Sequence, residues 1–286
     1  MTLKVLCIGQ IGWDITTIGN KKFKNYGGSV LHFSLAAALM GVTADLLCYV
    51  NKKEWGLLIN ELHQIGIGTQ HIIDFEHTIH FNMYYDEALN FCEEKFSMDI
   101  NENEPNICKK LVNMQMYDLY NICETVPEQD FMTLQTIKKY NENAIIAMQF
   151  HIDNLLKNKD LYLSLLGELD YIFMNVDEAL FLSNEDTIEN AIDFLRHRVK
   201  KVVFITSHVK NYAITKNESI EMFPIQTNVI VDPTGAGDCF AGGAIAGLCS
   251  DGKLETALRF GGICSYFKLM GYSSSYLFHI LKVWRT

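Results

Sequence analysis

With 286 residues, 49% hydrophobic and 20% charged, the chain has an ordinary globular composition and enough length for one α/β domain with a large core. A formal net charge of −10 without a long Lys/Arg run argues against a nucleic-acid or anionic-membrane surface. Eight scattered cysteines with no CxxC spacing predict reduced thiols, and no apolar run reaches the length of a bilayer span, so a cytoplasmic protein is expected.

Taken in order, Leu3–Ile8 is an apolar run ended by Gly9, the pattern of a buried strand. Asp14 follows in GQIGWDITT, and Ile15–Tyr26 is short and polar towards its end. Gly27-Gly28 precede a helix, Ser29–Met40, that is apolar nearly all round, and Gly41 stops it. Ala44–Val50 is the next strand, which completes a βαβ unit with a right-handed crossover. Trp55–Ile65 reads as an amphipathic helix closed by Gly66 and Gly68. His77–Tyr85 and Phe91–Phe96 read as a strand pair. After a polar break at Asn101–Pro105, strands at Tyr117–Ile122, Ala144–Gln149 and Tyr171–Met174 alternate with helices over Phe131–Tyr140 and Asn154–Leu166. That alternation implies a mostly parallel sheet covered on both faces. Lys201–Ser207 is a further strand, Thr206–Ala213 a loop, Leu254–Phe267 a helix, and Gly271 with Ser273–Ser275 a loop.

The chemistry concentrates in VDPTGAGDCFAGGAI, Val231–Ile245. Gly235-Ala236-Gly237 can aim successive amides into one concavity, and the helix starting near Asp238 adds its positive end, so the stretch reads as an anion site. A carboxylate beside such a site suits a general base that takes a proton from a hydroxyl attacking a bound phosphoryl group. The bland alternative is that Asp238 only caps the helix. Cys239 reads as a core thiol. Asn175 and Glu178 form NxxE at the end of a strand, one helical turn apart and on one face; helix capping explains Asn175 equally well.

DPTGAGDCFAGGAI resembles the C-terminal signature of the ribokinase-like (PfkB) family of carbohydrate and nucleoside kinases, and Gly27–Gly41 is similar to its N-terminal GGxxxNxA…LG pattern. The resemblance implies a three-layer α/β sandwich in a single domain over residues 1–286, with a small β lid drawn from about 15–26 and 77–96; the shortness of the first segment suggests a reduced lid. It implies an ATP-dependent kinase acting on a hydroxyl of a small sugar, cyclitol or nucleoside. Asp238 would then be the base, with Gly235, Ala236 and Gly237 as the anion hole, and Asp14 and Gly28 at the acceptor. His32 stands where the family has the acceptor-binding Asn, and it is either an acceptor contact or a core histidine satisfied by a neighbour. Asn175 and Glu178 would order Mg²⁺ through water, Asp232 and Thr234 a monovalent cation such as K⁺, and Thr206 would lie near the ATP phosphates; Lys210 is either a further phosphate contact or a solvated loop charge. His208 and Asn211 replace loop glycines there. A catalytically idle binder of nucleotide or sugar, acting as regulator or scaffold, is the rival reading. Partners other than the small molecule are not expected, beyond self-association through lid edges.

Overall fold

Along β1 (Val5–Ile8) every side chain is buried, but on alternate faces: Val5 and Cys7 belong to one core, Leu6 and Ile8 to another. A strand that is apolar on both sides must sit inside a sheet with helices above and below. The computed structural model describes residues 3–89, 91–96, 106–112, 114, 117–123, 125–227 and 229–285, so the Asn101–Pro105 break lies outside the described residues.

After β1 come β2 (Gly12–Ile18), β3 (Lys21–Gly27), α1 (Ser29–Leu39), β4 (Ala44–Leu47) and β5 (Tyr49–Val50). Then follow α2 (Lys52–Gln64), β6 (Ile73–Asp74), β7 (Ile79–Tyr85), β8 (Phe91–Phe96) and α3 (Ile107–Leu111). The middle of the chain alternates as the pattern implies: β9 (Leu119–Ile122), α4 (Pro127–Tyr140), β10 (Ile145–Gln149), α5 (Ile152–Leu165) and β11 (Tyr171–Asn175). It continues through α6 (Val176–Ser183), α7 (Ile188–Arg196), β12 (Val202–Thr206), β13 (Asn211–Ile214) and β14 (Ser219–Met222). Three helices close the chain: α8 (Ala236–Asp251), α9 (Leu254–Leu269) and α10 (Ser275–Arg285).

The main sheet has eight strands in the order β14-β13-β12-β11-β10-β9-β1-β4; β4 through β12 are parallel, and β13 and β14 form an antiparallel edge. One core joins it to α1, α8, α9 and α10, and the other to α4, α5, α6 and α7. The expected three-layer α/β arrangement is therefore present. No helix among the described residues is long and apolar enough to cross a membrane.

Several local expectations are corrected. The first lid segment is not reduced: β2 and β3 form a seven-residue-per-strand hairpin, and with β7 and β8 they make a separate four-stranded sheet in the order β3-β2-β7-β8. GWDITTI alternates buried and part-exposed positions, which is what a one-sided sheet requires, and Asp14 lies inside β2. The expected strand Ala44–Val50 breaks at Cys48, and β5 leaves the main sheet to pair with β6. The loop at Thr206–Ala213 is a tight turn: the Ser207 hydroxyl accepts the amides of Val209 and Lys210, Asn211 Oδ1 accepts the Ser207 amide, and β13 starts at once. Side chains at His208 and Asn211 are thus part of a closed turn at the sheet edge. Helices α3 and α7 were not expected, and Ser275 begins α10 rather than ending a loop.

Candidate active site

Parallel strands point their carboxyl ends to one edge of the sheet, and the cleft lies there. It has a volume of about 610 Å³, a size that suits a small-molecule ligand. Asp14, Gly28 and His32 line it from the lid and α1, Asn175, Glu178 and Thr206 from β11, α6 and β12, and Thr234, Gly235, Ala236, Gly237 and Asp238 from the turn before α8. Residues more than two hundred positions apart converge on one space. The register Asn175↔Thr206 between β11 and β12 places those two side by side. Asp232 and Lys210 are absent from the lining.

Gly235 caps α8 in the left-handed conformation, φ 78°, and a side chain there would collide with the His32 ring at 2.4 Å. The turn therefore lies flat against His32. The Ala236 amide donates to Pro233 O at 3.1 Å, and the Cys239 amide donates to Gly235 O at 3.0 Å. Amides in the opening turn of α8 have no carbonyl one turn back, which leaves Gly235 and Gly237 better placed than Ala236 as anion donors. Asp238, half-buried in this turn, has its carboxyl pushed up to about 6 by burial, while the charges of His32 and His151 pull it down. Cys239 is a buried thiol raised by burial, as a core cysteine should be.

Asp14 is 2% exposed and accepts three hydrogen bonds: from the Gly28 amide at 3.2 Å, His32 Nε2 at 2.9 Å and the Ser273 hydroxyl at 2.5 Å. A carboxylate offers about four acceptor sites, so little of Asp14 remains for a vicinal diol. Gly27 makes room for it, since a Cβ there would lie 1.9 Å from the carboxyl carbon. His32 must carry its proton on Nε2 to donate to Asp14, and its buried Nδ1 has no hydrogen-bond partner. A neighbour thus satisfies one nitrogen of His32, and the other is free to accept a hydrogen bond in a residue that lines the cleft.

Asn175 and Glu178 form a capping box on α6, Glu178 accepting the Asn175 amide at 2.7 Å and Asn175 Oδ1 accepting the Glu178 amide at 2.9 Å. Glu178 is 4% exposed, and burial pushes its carboxyl up to about 7 against the pull of the Asn175 amide and His151. A buried carboxyl held so high is suited to a cation, and its hard oxygen donors match Mg²⁺. Among the described residues no three acidic, His or Cys side chains gather into a metal-binding group, so water and phosphate oxygens would complete that coordination. The monovalent-cation role of Asp232 and Thr234 does not fit. Asp232 is fully buried, its two oxygens accept the amides of Thr234 and Ser273, and the Lys268 ammonium lies 3.6 Å away. Thr234 Oγ1 instead faces the lid, 3.2 Å from the Tyr85 hydroxyl and 3.5 Å from Thr16 Oγ1. Lys210 is bonded to Glu221 at 2.5 Å on the exposed β13–β14 hairpin, which turns its ammonium away from the cleft.

Sequence reasoning passed over Gln149, His151 and Lys157, which also line the cleft. Gln149 is 7% exposed, and neither end of its amide has a partner among the described residues. Its position at the carboxyl end of β10 was the available signal.

The family model for pfkB family carbohydrate kinases matches residues 15–274. The chain is 26% identical over 271 residues to a cytidine kinase of Thermococcus kodakarensis, covering 91% of this chain and 93% of that protein. It is 23% identical over 287 residues to a nucleoside kinase of Methanocaldococcus jannaschii, covering 92% and 89%. The solved structure of the Methanocaldococcus jannaschii nucleoside kinase, described as an archaeal member of the ribokinase family, has a TM-score of 0.77 at 19% identity and covers 99% of each chain. The adenosine kinase of Sinorhizobium meliloti gives 0.76 at 15% identity, covering 99% of this chain and 100% of that one. With the pfkB model covering residues 15–274 and relatives matched over nearly their whole lengths, the chain belongs to the pfkB family of carbohydrate kinases and is a phosphotransferase with a sugar or nucleoside as its alcohol acceptor.

Proposed function

We propose that the protein transfers the γ-phosphoryl group of ATP to a hydroxyl of a nucleoside, with Asp238 as general base. The observation that carries this reading is Asp238 in the opening turn of α8, lining one cleft together with the Gly235 turn and the Asp14–His32 pair that the turn lies against. A carboxyl pushed up to about 6 is ionised at neutral pH yet basic enough to take a proton in the transition state. The amides of Gly235 and Gly237 receive the charge on the transferred group, and Thr206 and Lys157 face the phosphates. Mg²⁺ held through water by Asn175 and Glu178 would supply further charge neutralisation there.

Two features favour a nucleoside over a simple sugar. Among the described residues, the buried polar atoms in the lining that lack partners are His32 Nδ1 and both ends of the Gln149 amide, which together offer donors and acceptors to a ribose and a base. Phe81, Tyr85 and Phe150 supply aromatic walls on which a base can stack. The cytidine kinase and nucleoside kinase relatives, matched over nearly their whole lengths, agree with this. Eight free cysteines, five of them buried, suit a cytoplasmic site of action.

The test is ADP release from ATP·Mg²⁺ across cytidine, uridine, adenosine, inosine, ribose, fructose and inositol. Stimulation by one or more nucleosides at lower concentration than by any sugar or cyclitol is expected. Preference for a free sugar overturns the nucleoside assignment while leaving the kinase chemistry.

A further inference from the structure

Lys268, in the last turn of α9, is 0% exposed. An ammonium taken wholly out of water costs several kcal/mol unless its surroundings replace the lost hydration. Here they do: Nζ donates to the carbonyl oxygen of Asp232 at 3.0 Å and to that of Gly271 at 3.4 Å, and lies 3.6 Å from Asp232 Oδ2. Two backbone carbonyls and a carboxylate are also the oxygen donors that a desolvated monovalent cation takes. The ammonium supplies that positive charge covalently.

The cage is not isolated from the chemistry. Asp232 Oδ1 accepts the Thr234 amide at 2.9 Å, one residue before Gly235, and Oδ2 accepts the Ser273 amide at 2.7 Å. The Ser273 hydroxyl donates in turn to Asp14 Oδ2, which also holds His32. One buried charge therefore anchors both the start of the phosphate-binding turn and the loop that fixes the acceptor-side carboxylate. The charge of Lys268 is also among those that draw down the Asp238 carboxyl.

We propose that Lys268 is a tethered monovalent cation, a positioning residue whose ammonium fixes the Asp232–Gly235 turn and the Gly271–Ser273 loop so that the enzyme needs no added K⁺. This rests on the kinase reading above for its catalytic arm alone. Substitution by a neutral residue should open the cage to a diffusible cation and convert a cation-independent protein into a cation-dependent one.

The test begins with the wild type, whose turnover and whose affinity for ATP·Mg²⁺ by titration calorimetry are compared in K⁺, Na⁺ and tetramethylammonium at equal ionic strength, roughly 0.1 M. Both should be the same in all three. Lys268→Ala and Lys268→Met should lose about a hundredfold in turnover and bind ATP more weakly, because a displaced turn misplaces the anion donors. For Lys268→Ala, K⁺, NH₄⁺ or n-propylammonium should return much of both losses, since propylammonium replaces the deleted stem and head. A merely structural lysine would show the losses without that cation-specific recovery. Stimulation of the wild type by K⁺ over Na⁺ overturns the proposal, and so does a folded variant with unchanged ATP affinity or one that no cation restores. If both variants fail to fold, the wild-type comparison still decides. If no acceptor is phosphorylated, the functional reading fails, while the ATP-affinity arms judge Lys268 on their own.

Discussion

At the scale of single residues, Asp238 makes the sharpest claims. A base at Asp238, as proposed, works only when ionised, so kcat/KM should fall about tenfold per pH unit below the carboxyl's pKa of about 6, and a pH–rate profile reads that limb directly. The same shift bears on stability. A carboxyl raised from 3.8 to about 6 in the folded state binds more protons there than in the unfolded chain, so stability is lost as pH rises through that window. Asp238→Asn should therefore melt higher than the wild type near pH 8 and no higher near pH 4, as thermal unfolding at both pH values will show. Gln149→Leu, which removes both unpartnered polar ends, should raise the KM for the nucleoside by about tenfold with a smaller change in kcat. These residues were unequally legible. Asp238 and Gly235 announce themselves because an anion turn needs glycine and carboxylate at fixed local spacing. Gln149 carries no local pattern; only its place at a strand end, known once the sheet is ordered, marks it.

At the scale of elements, α8 is held by what it lacks. A Cβ on Gly242 would lie 2.3 Å from Phe33 O of α1, and one on Gly243 2.5 Å from Phe260 O of α9, so the glycines let three helices meet backbone to backbone. Gly242→Val should destabilise the protein by about 2–3 kcal/mol in urea unfolding, since the α1 backbone cannot yield as a side chain can. The small-residue run that makes this possible was plain in the sequence, as was the buried α1. The lid was placed at about 15–26 only through the family resemblance, and its full extent as a hairpin was not legible, because β2 and β3 carry polar residues on one face and their span is short. Trp13 stacking on Tyr26 at 4.7 Å and against Trp55 at 5.1 Å supplies the apolar face that anchors it. The Ser207–Lys210 turn escaped for a different reason: side-chain to backbone bonds close it, and they leave no glycine signature.

At the scale of the whole molecule, the lid, the α8 turn and the Gly271–Ser273 loop contact one another beside the cleft. The lid reaches the α8 turn through Tyr85 and Thr16 on Thr234, and the Gly271–Ser273 loop joins that turn to Asp14. Ligands that fill the space between them should stabilise all three together. ATP·Mg²⁺ with a nucleoside, each at about a hundred times its Kd, should add about 2.7 kcal/mol apiece and raise the melting temperature more in combination than either does alone. The α/β order of the sheet was legible from apolar runs alternating with amphipathic ones, because a parallel sheet imposes that alternation on the chain. The burial of Asp232 and Lys268 was not, since a charged pair in a core looks on the page like two surface residues. The most direct test of the central claim is acceptor-dependent ADP release by Asp238→Asn beside the wild type, with folding and ATP binding checked in both. Turnover should fall by at least about a hundredfold with ATP affinity kept. A folded Asp238→Asn protein within about threefold of wild-type turnover would contradict the assignment of Asp238 as the base.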